Sequence, residues 1–207
     1  MKTIEEVRDL LKGIKYMTYP KAQIAQQLIR ESNCKDILEL GTFHGVGTNY
    51  LCAVASQNGG HVTTIDKDMN AERIPSIDYT LHLCGLKKYC TVVTDPMSYT
   101  WVLTEYINQG KKFDFIYIDG GHLFDNTALA FHLSDRLLIE GGVLVFDDLT
   151  WRPCNSRVKN YSQKELPLNR HNLCHVGEVW NKLVKTHPNY TNFEVKGNWG
   201  ICRKVAR

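Results

Sequence analysis

The stretch ILELGTFHGVGTNYL, residues 37–51, leaves an apolar strand through Gly41, Gly45 and Gly47 and enters a helix near Thr48. Glycines let a backbone take positive φ and approach a ligand closely, and the helix that follows offers free N–H groups to an anion. A tight strand-to-helix turn can exist without a ligand. Here, however, the next apolar run, HVTTID (61–66), ends in Asp66, about 20 residues downstream, where an acid can accept from both hydroxyls of a ribose. The two features together point to an adenosine-containing cofactor. In an open α/β sheet such a ligand sits beyond the carboxyl ends of the strands, where the strand order reverses.

Away from this turn the chain repeats one rhythm. Apolar runs of strand length stand at 36–40, 61–66, 90–94, 113–119 and 141–148, separated by helical periodicity over about 47–57, 70–84, 98–108 and 124–138. Strand and helix in strict alternation predict a parallel sheet with helices on both faces. Two helices, 2–12 and 20–32, come first. After the last helix (VGEVWNKLVKTH), NFEVKG and NWGICRKV form two alternating strands joined at Gly197-Asn198, an antiparallel hairpin closing a mostly parallel sheet. The organisation expected is one domain over 1–207: N-terminal helices in 1–33, a cofactor-binding core in 34–148, a lid or substrate loop in 149–174, and the last helix with the hairpin in 175–207. The irregular stretch holds Trp151, Arg152, Arg157 and Tyr161, and loops of that length usually serve binding.

Composition narrows the function. A formal charge of +3 without a basic run longer than two residues argues against a nucleic-acid partner. The first residues lack the apolar core of a secretion signal, and no apolar run reaches the roughly 20 residues of a membrane span, so a cytoplasmic protein without a membrane partner is expected. Seven cysteines without a C-x-x-C pair read as reduced core thiols. The alternative, a zinc site from Cys154, His171, Cys174 and His175, lacks the usual ligand spacing. The oligomeric state is not readable, and a homo-oligomer is compatible with all of this.

The glycine spacing selects the cofactor type. A dinucleotide fold places G-x-G-x-x-G under a pyrophosphate, whereas this turn reads E-L-G-x-x-x-G-x-x-T, with Glu39 just upstream. That acid would repel a pyrophosphate and attract an ammonium group. Here the sequence resembles the class I S-adenosylmethionine-dependent methyltransferases over nearly its whole length: ILELGTFHGVG is similar to their first motif, TTID to the acidic second motif, TDPMS to the adenine loop, and the hairpin to their antiparallel end. The resemblance implies a Rossmann-like, seven-stranded α/β fold. It also implies that Glu39, Gly41, Thr42, Phe43, Gly45 and Gly47 surround the methionine part of S-adenosylmethionine, that Asp66 holds the ribose, and that Asp95 and Met97 bound the adenine. Asp95 could equally cap the helix starting near Ser98.

Asp119 ends the fourth strand and Asp147 and Asp148 end the fifth, so three carboxylates should meet at one edge of the cleft. Unless protonated or paired with bases they need a cation, and an all-oxygen set suits Mg²⁺. The pattern IDGGH…GGVLVFDD resembles small-molecule O-methyltransferases of the macrocin type and the cephalosporin hydroxylase-like proteins, in whose metal-dependent members acids at these strand ends hold the ion. Asp119 could instead only position the cofactor's ammonium. His122 stands where catechol O-methyltransferases, which resemble this turn, carry a lysine base, and an imidazole can take a hydroxyl proton at neutral pH. Helix capping is the competing role. The resulting expectation is methyl transfer to an oxygen of a small molecule, with Asp119 and His122 catalytic and a Mg²⁺-like ion on Asp119, Asp147 and Asp148. The rivals are a metal-independent N-methyltransferase and a non-catalytic cofactor-binding protein.

Overall fold

The computed structural model describes residues 1–67, 73–155 and 166–206. Seven strands form one sheet in the order β3-β2-β1-β4-β5-β7-β6. They are β1 (Asp36–Leu40), β2 (His61–Lys67), β3 (Cys90–Asp95), β4 (Phe113–Ile118), β5 (Leu138–Phe146), β6 (Tyr190–Lys196) and β7 (Trp199–Lys204). The first five are parallel to one another. β7 runs antiparallel to β5 and to β6, which makes the closing hairpin. The strand order reverses between β1 and β4, so their carboxyl ends frame the crevice.

Strand parity divides the core. Ile37, Phe115, Tyr117, Val143 and Val145 face a layer built by α1 (Ile4–Leu10), α2 (Tyr19–Glu31), α3 (Val46–Gln57) and α4 (Ile77–Cys84). Leu38, Leu40, Ile116, Ile118, Leu144 and Phe146 face the opposite layer, of α5 (Tyr99–Asn108), α6 (Phe124–Leu137) and α8 (His175–Val179). A short α7 (Leu168–His171) precedes α8, which runs on into a π-helical turn, Trp180–Val184. Trp180 and Trp199 are almost wholly buried on opposite faces. Among the described residues no helix is long and apolar enough to cross a membrane.

Several boundaries differ from the periodicity. Of the helix expected over 70–84, residues 70–72 lie outside the described residues, and the part from 73 on is helical over Ile77–Cys84. Pro75 disfavours a helical residue before it, and the Ser76 hydroxyl accepts the Tyr79 N–H as a cap. β5 begins at Leu138, directly after α6, and its pairing with β4 shifts register between Phe113 and Phe115. Of the lid expected over 149–174, residues 156–165, with Arg157 and Tyr161, lie outside the described residues.

Gly41 sits at the seam of the two central strands. Its φ is +99°, and a Cβ there would come 2.5 Å from the carbonyl oxygen of Asp119. Space and conformation therefore both demand glycine, for packing of one strand end on the next rather than for a ligand. Gly41→Ala should lower unfolding stability by about 3 kcal/mol in urea denaturation, from strained backbone plus overpacking. A loss within experimental error would show that this seam is looser than the structure has it.

Candidate active site

The crevice holds a cavity of about 490 Å³, walled by the β1–α3 turn, the ends of β2, β4 and β5, and the loop between α1 and α2. Glu39, Gly41, Thr42, Phe43, Gly47, Asp66, Asp119, His122 and Asp148 all line it. Gly45 does not. It packs behind the turn, where a Cβ would press on Ile77 and Thr80.

Glu39 is buried to 1% exposure. Its Oε2 accepts hydrogen bonds from the hydroxyls of Thr48 (2.5 Å) and Thr64 (2.7 Å), while Oε1 lies over Gly47, where a Cβ would come within 2.8 Å. Burial outweighs the threonine hydrogen bonds and pushes the Glu39 carboxyl up to about 7. Across the turn, α3 starts at Val46 with no side chain capping it, which leaves its first N–H groups to a ligand. A buried carboxylate short of positive charge beside open helix N–H groups matches the ammonium and carboxylate of an amino-acid moiety.

Asp66 is held by the protein itself. Oδ2 accepts the N–H groups of Thr42 (3.2 Å) and Phe43 (2.9 Å) and an Arg73 N–H (2.7 Å), and Oδ1 accepts the Lys67 N–H (2.7 Å). The carboxylate thus ties the end of β2 to the first turn, and Arg73 also lies 4.7 Å over the Phe43 ring. Asp95 and Met97, expected at the adenine, do not line the cavity. Asp95 Oδ1 accepts the N–H groups of Met97 (2.8 Å) and Ser98 (2.9 Å) in the turn before α5, whose own N-cap is Ser98, and Met97 is exposed.

The acids at the strand ends are deployed differently from one another. Asp147 continues the parity of Val143 and Val145 and turns toward α2, where Lys21 meets its Oδ1 at 2.5 Å. The Asp148 N–H also donates to Oδ1 (2.6 Å), and Tyr117 donates to Oδ2 (2.5 Å). The Tyr117 oxygen is also 3.1 Å from Asp119 Oδ2. A phenol has one proton, so this second contact calls for a proton on Asp119. Burial, with the nearby charges of Asp147 and Asp148, raises the Asp119 carboxyl well above the carboxylate range.

Asp148 lies on the cavity wall, with φ +60°. Its Oδ2 accepts His122 Nε2–H at 2.7 Å and its Oδ1 accepts from Asn198 at 2.8 Å, in the turn of the hairpin. Burial alone would raise its pKa, but the hydrogen bond and charge of His122, with Lys21 beyond, hold it below the ordinary value. Trp151 stands edge-on to the His122 ring, 5.1 Å between centroids. In the neutral ring this tautomer leaves Nδ1 as the basic nitrogen.

The three-acid metal site expected from the sequence is therefore corrected. Asp147 is committed to Lys21 and Tyr117 and does not line the cavity. Among the described residues the convergent group of metal-type donors is Asp119, His122 and Asp148, whose atoms lie within 4.8 Å of one another. The loop histidines form no zinc site with the cysteines. His175 donates from Nε2 to the Arg170 carbonyl and accepts the Phe124 N–H at Nδ1, and the His171 Nε2 contacts the Leu166 carbonyl.

Sequence reasoning missed Lys21, Tyr117 and Asn198. Two had a signal. Lys21 falls in register with Ile24, Ala25 and Leu28, on an otherwise apolar helix stripe, and Tyr117 shares the parity of Asp119.

Residues 38–149 match the family described as methyltransferase domain, and the chain belongs to that family. No curated protein matches the sequence. Solved structures that share the fold over nearly the whole chain include an O-methyltransferase from Bacillus cereus in complex with S-adenosylhomocysteine (20% identity, 98% of this chain and 90% of that one, TM-score 0.71). Another is the O-methyltransferase TomG from Streptomyces achromogenes in complex with S-adenosylmethionine (15%, 100% and 91%, 0.70). A third is a methyltransferase from Podospora anserina bound to S-adenosylhomocysteine (14%, 98% and 88%, 0.70).

The state of Glu39 has a measurable signature. The folded protein keeps this proton up to about pH 7, while an unfolded chain loses it near 4.5. Between those values the folded state binds more protons, so the Glu39 contribution falls as pH rises through the window. Glu39→Gln should remove this decline, leaving the ligand-free variant more stable than the parent at pH 8 by about 3 kcal/mol at most. Parallel stability–pH curves for the two proteins would contradict the assignment.

Proposed function

We propose that this methyltransferase moves the sulfonium methyl of S-adenosylmethionine to an oxygen of a small-molecule acceptor, with His122 as the base. The observation that carries the reading is the His122–Asp148 pair on the cavity wall. A carboxylate that accepts the Nε2–H hydrogen bond orients the ring, sets the tautomer, and stabilises the imidazolium once Nδ1 has accepted a hydroxyl proton. When bound, the cofactor supplies an electrophilic methyl carbon, so the protein's part is alignment, removal of a proton and exclusion of water.

The chain's own residues divide that work. Glu39 attracts the ammonium and the open N-terminus of α3 the carboxylate of the methionine moiety. Asp66 takes the ribose hydroxyls, which requires Arg73 to give up its hydrogen bond there. Trp151 screens His122 from solvent, and Tyr16 and Met17, from the α1–α2 loop, close the opposite wall. Binding of S-adenosylhomocysteine by calorimetry tests the cofactor assignment. Asp66→Ala should weaken it by about 1.5–3 kcal/mol through loss of a charged acceptor. Affinity equal to that of the parent would remove Asp66 from the ribose.

A second reading is favoured by the convergence of Asp119, His122 and Asp148. Two carboxylates and an imidazole suit a first-row divalent ion such as Mn²⁺ better than Mg²⁺. An ion there would acidify the acceptor hydroxyl. Turnover should fall about 10²–10⁴-fold in His122→Ala, with S-adenosylhomocysteine binding nearly unchanged. Full turnover in EDTA would leave His122 acting as base without metal, whereas activity that is lost in EDTA and restored by a divalent salt selects the second reading.

A further inference from the structure

We infer that Lys21, on α2, is an internal cation that occupies Asp147 and keeps it from a divalent metal, so that α2 sets how strongly the acid cluster binds metal. The geometry is specific. Asp147 is 4% exposed, and three donors fill its oxygens: Lys21 Nζ and the Asp148 N–H on Oδ1, Tyr117 on Oδ2. Lys21 is itself only 22% exposed at its side chain, with Nζ 5.8 Å from the centre of the buried Trp199 ring. Its ammonium is therefore held from both sides.

The consequence follows from charge. Asp147 and Asp148 are adjacent, and each has its own nitrogen partner, Lys21 and His122 respectively. While Lys21 stays in place, both acceptor sites of Oδ1 are taken and the negative charge of Asp147 is matched by the ammonium. Without the ammonium, a buried carboxylate would lack its counter-charge, the situation a divalent cation relieves. Lys21 thus acts on the site through Asp147, as a positioning residue, and touches no reacting atom. The inference concerns the acid cluster and holds whatever the acceptor is.

The test uses the full chain saturated with S-adenosylhomocysteine and Mn²⁺ alone as the probe, followed by electron paramagnetic resonance. Lys21→Gln keeps a hydrogen-bond donor without the charge and should bind Mn²⁺ at least about tenfold more tightly than the parent, while Lys21→Arg should match the parent. Equal or weaker binding by Lys21→Gln, or no binding by either protein, overturns the inference. Crystals of the parent soaked in Mn²⁺ test it independently of how well the variant folds. Asp147 still paired with Lys21, with or without an anomalous peak at Asp119 and Asp148, supports it, and a peak within bonding distance of Asp147 overturns it. Calorimetry of S-adenosylhomocysteine on the same proteins reports separately on the cofactor reading.

Discussion

Everything at the site depends on how closely β1 and β4 run together at their carboxyl ends. There the Asp119 N–H donates to the Leu40 carbonyl at 2.8 Å and Gly41 rests against the Asp119 backbone. This contact sets the first turn of the cofactor cleft beside the acids of the fourth and fifth strands. With a side chain at position 41 the two turns could not approach. Glu39 and the N-terminus of α3 would then lie too far from Asp119 and His122 for one small cavity to serve both.

On that seam the period of two in each strand distributes the charges. Glu39, Tyr117, Asp119 and Asp147 share the parity of Ile37, Phe115 and Val145 and look toward the α1–α4 layer, while Asp148, past the strand end at a positive φ, leaves that alternation and lines the cavity. Two adjacent carboxylates that seem redundant in the sequence therefore do different things. Asp147 anchors Lys21 and Tyr117, and Asp148 orients His122. The repulsion expected among three acids is met within the chain by the Lys21 ammonium on Asp147 and the His122 imidazole on Asp148, and it is one of the causes that push the Asp119 carboxyl well above the carboxylate range.

The terminal hairpin also takes part. Asn198, in its turn, donates to Asp148, and its carbonyl accepts the Leu149 N–H, so the chain just after β5 is held by the last two strands. This tether supports the positive φ of Asp148, a conformation that a non-glycine residue keeps only when its surroundings enforce it. A hairpin that looks like a sheet ending is thereby a support of the candidate base.

The sequence alone determined the alternation of strand and helix, the antiparallel ending, the glycine turn with Glu39 and Asp66, and the identity of the acids at the strand ends, because these depend on local period and on residue type at fixed offsets. It also pointed to His122 beside those acids. Only the tertiary structure decided which partner each acid takes. Lys21 lies 126 residues from Asp147 and Asn198 lies 50 from Asp148, and hydrogen bonds across such separations leave no periodic trace. For the same reason the sequence could not show that Ser98, and not Asp95, caps α5: both residue types suit a cap, and only the fold puts the Asp95 carboxylate on the N–H groups of Met97 and Ser98, in the turn before the helix.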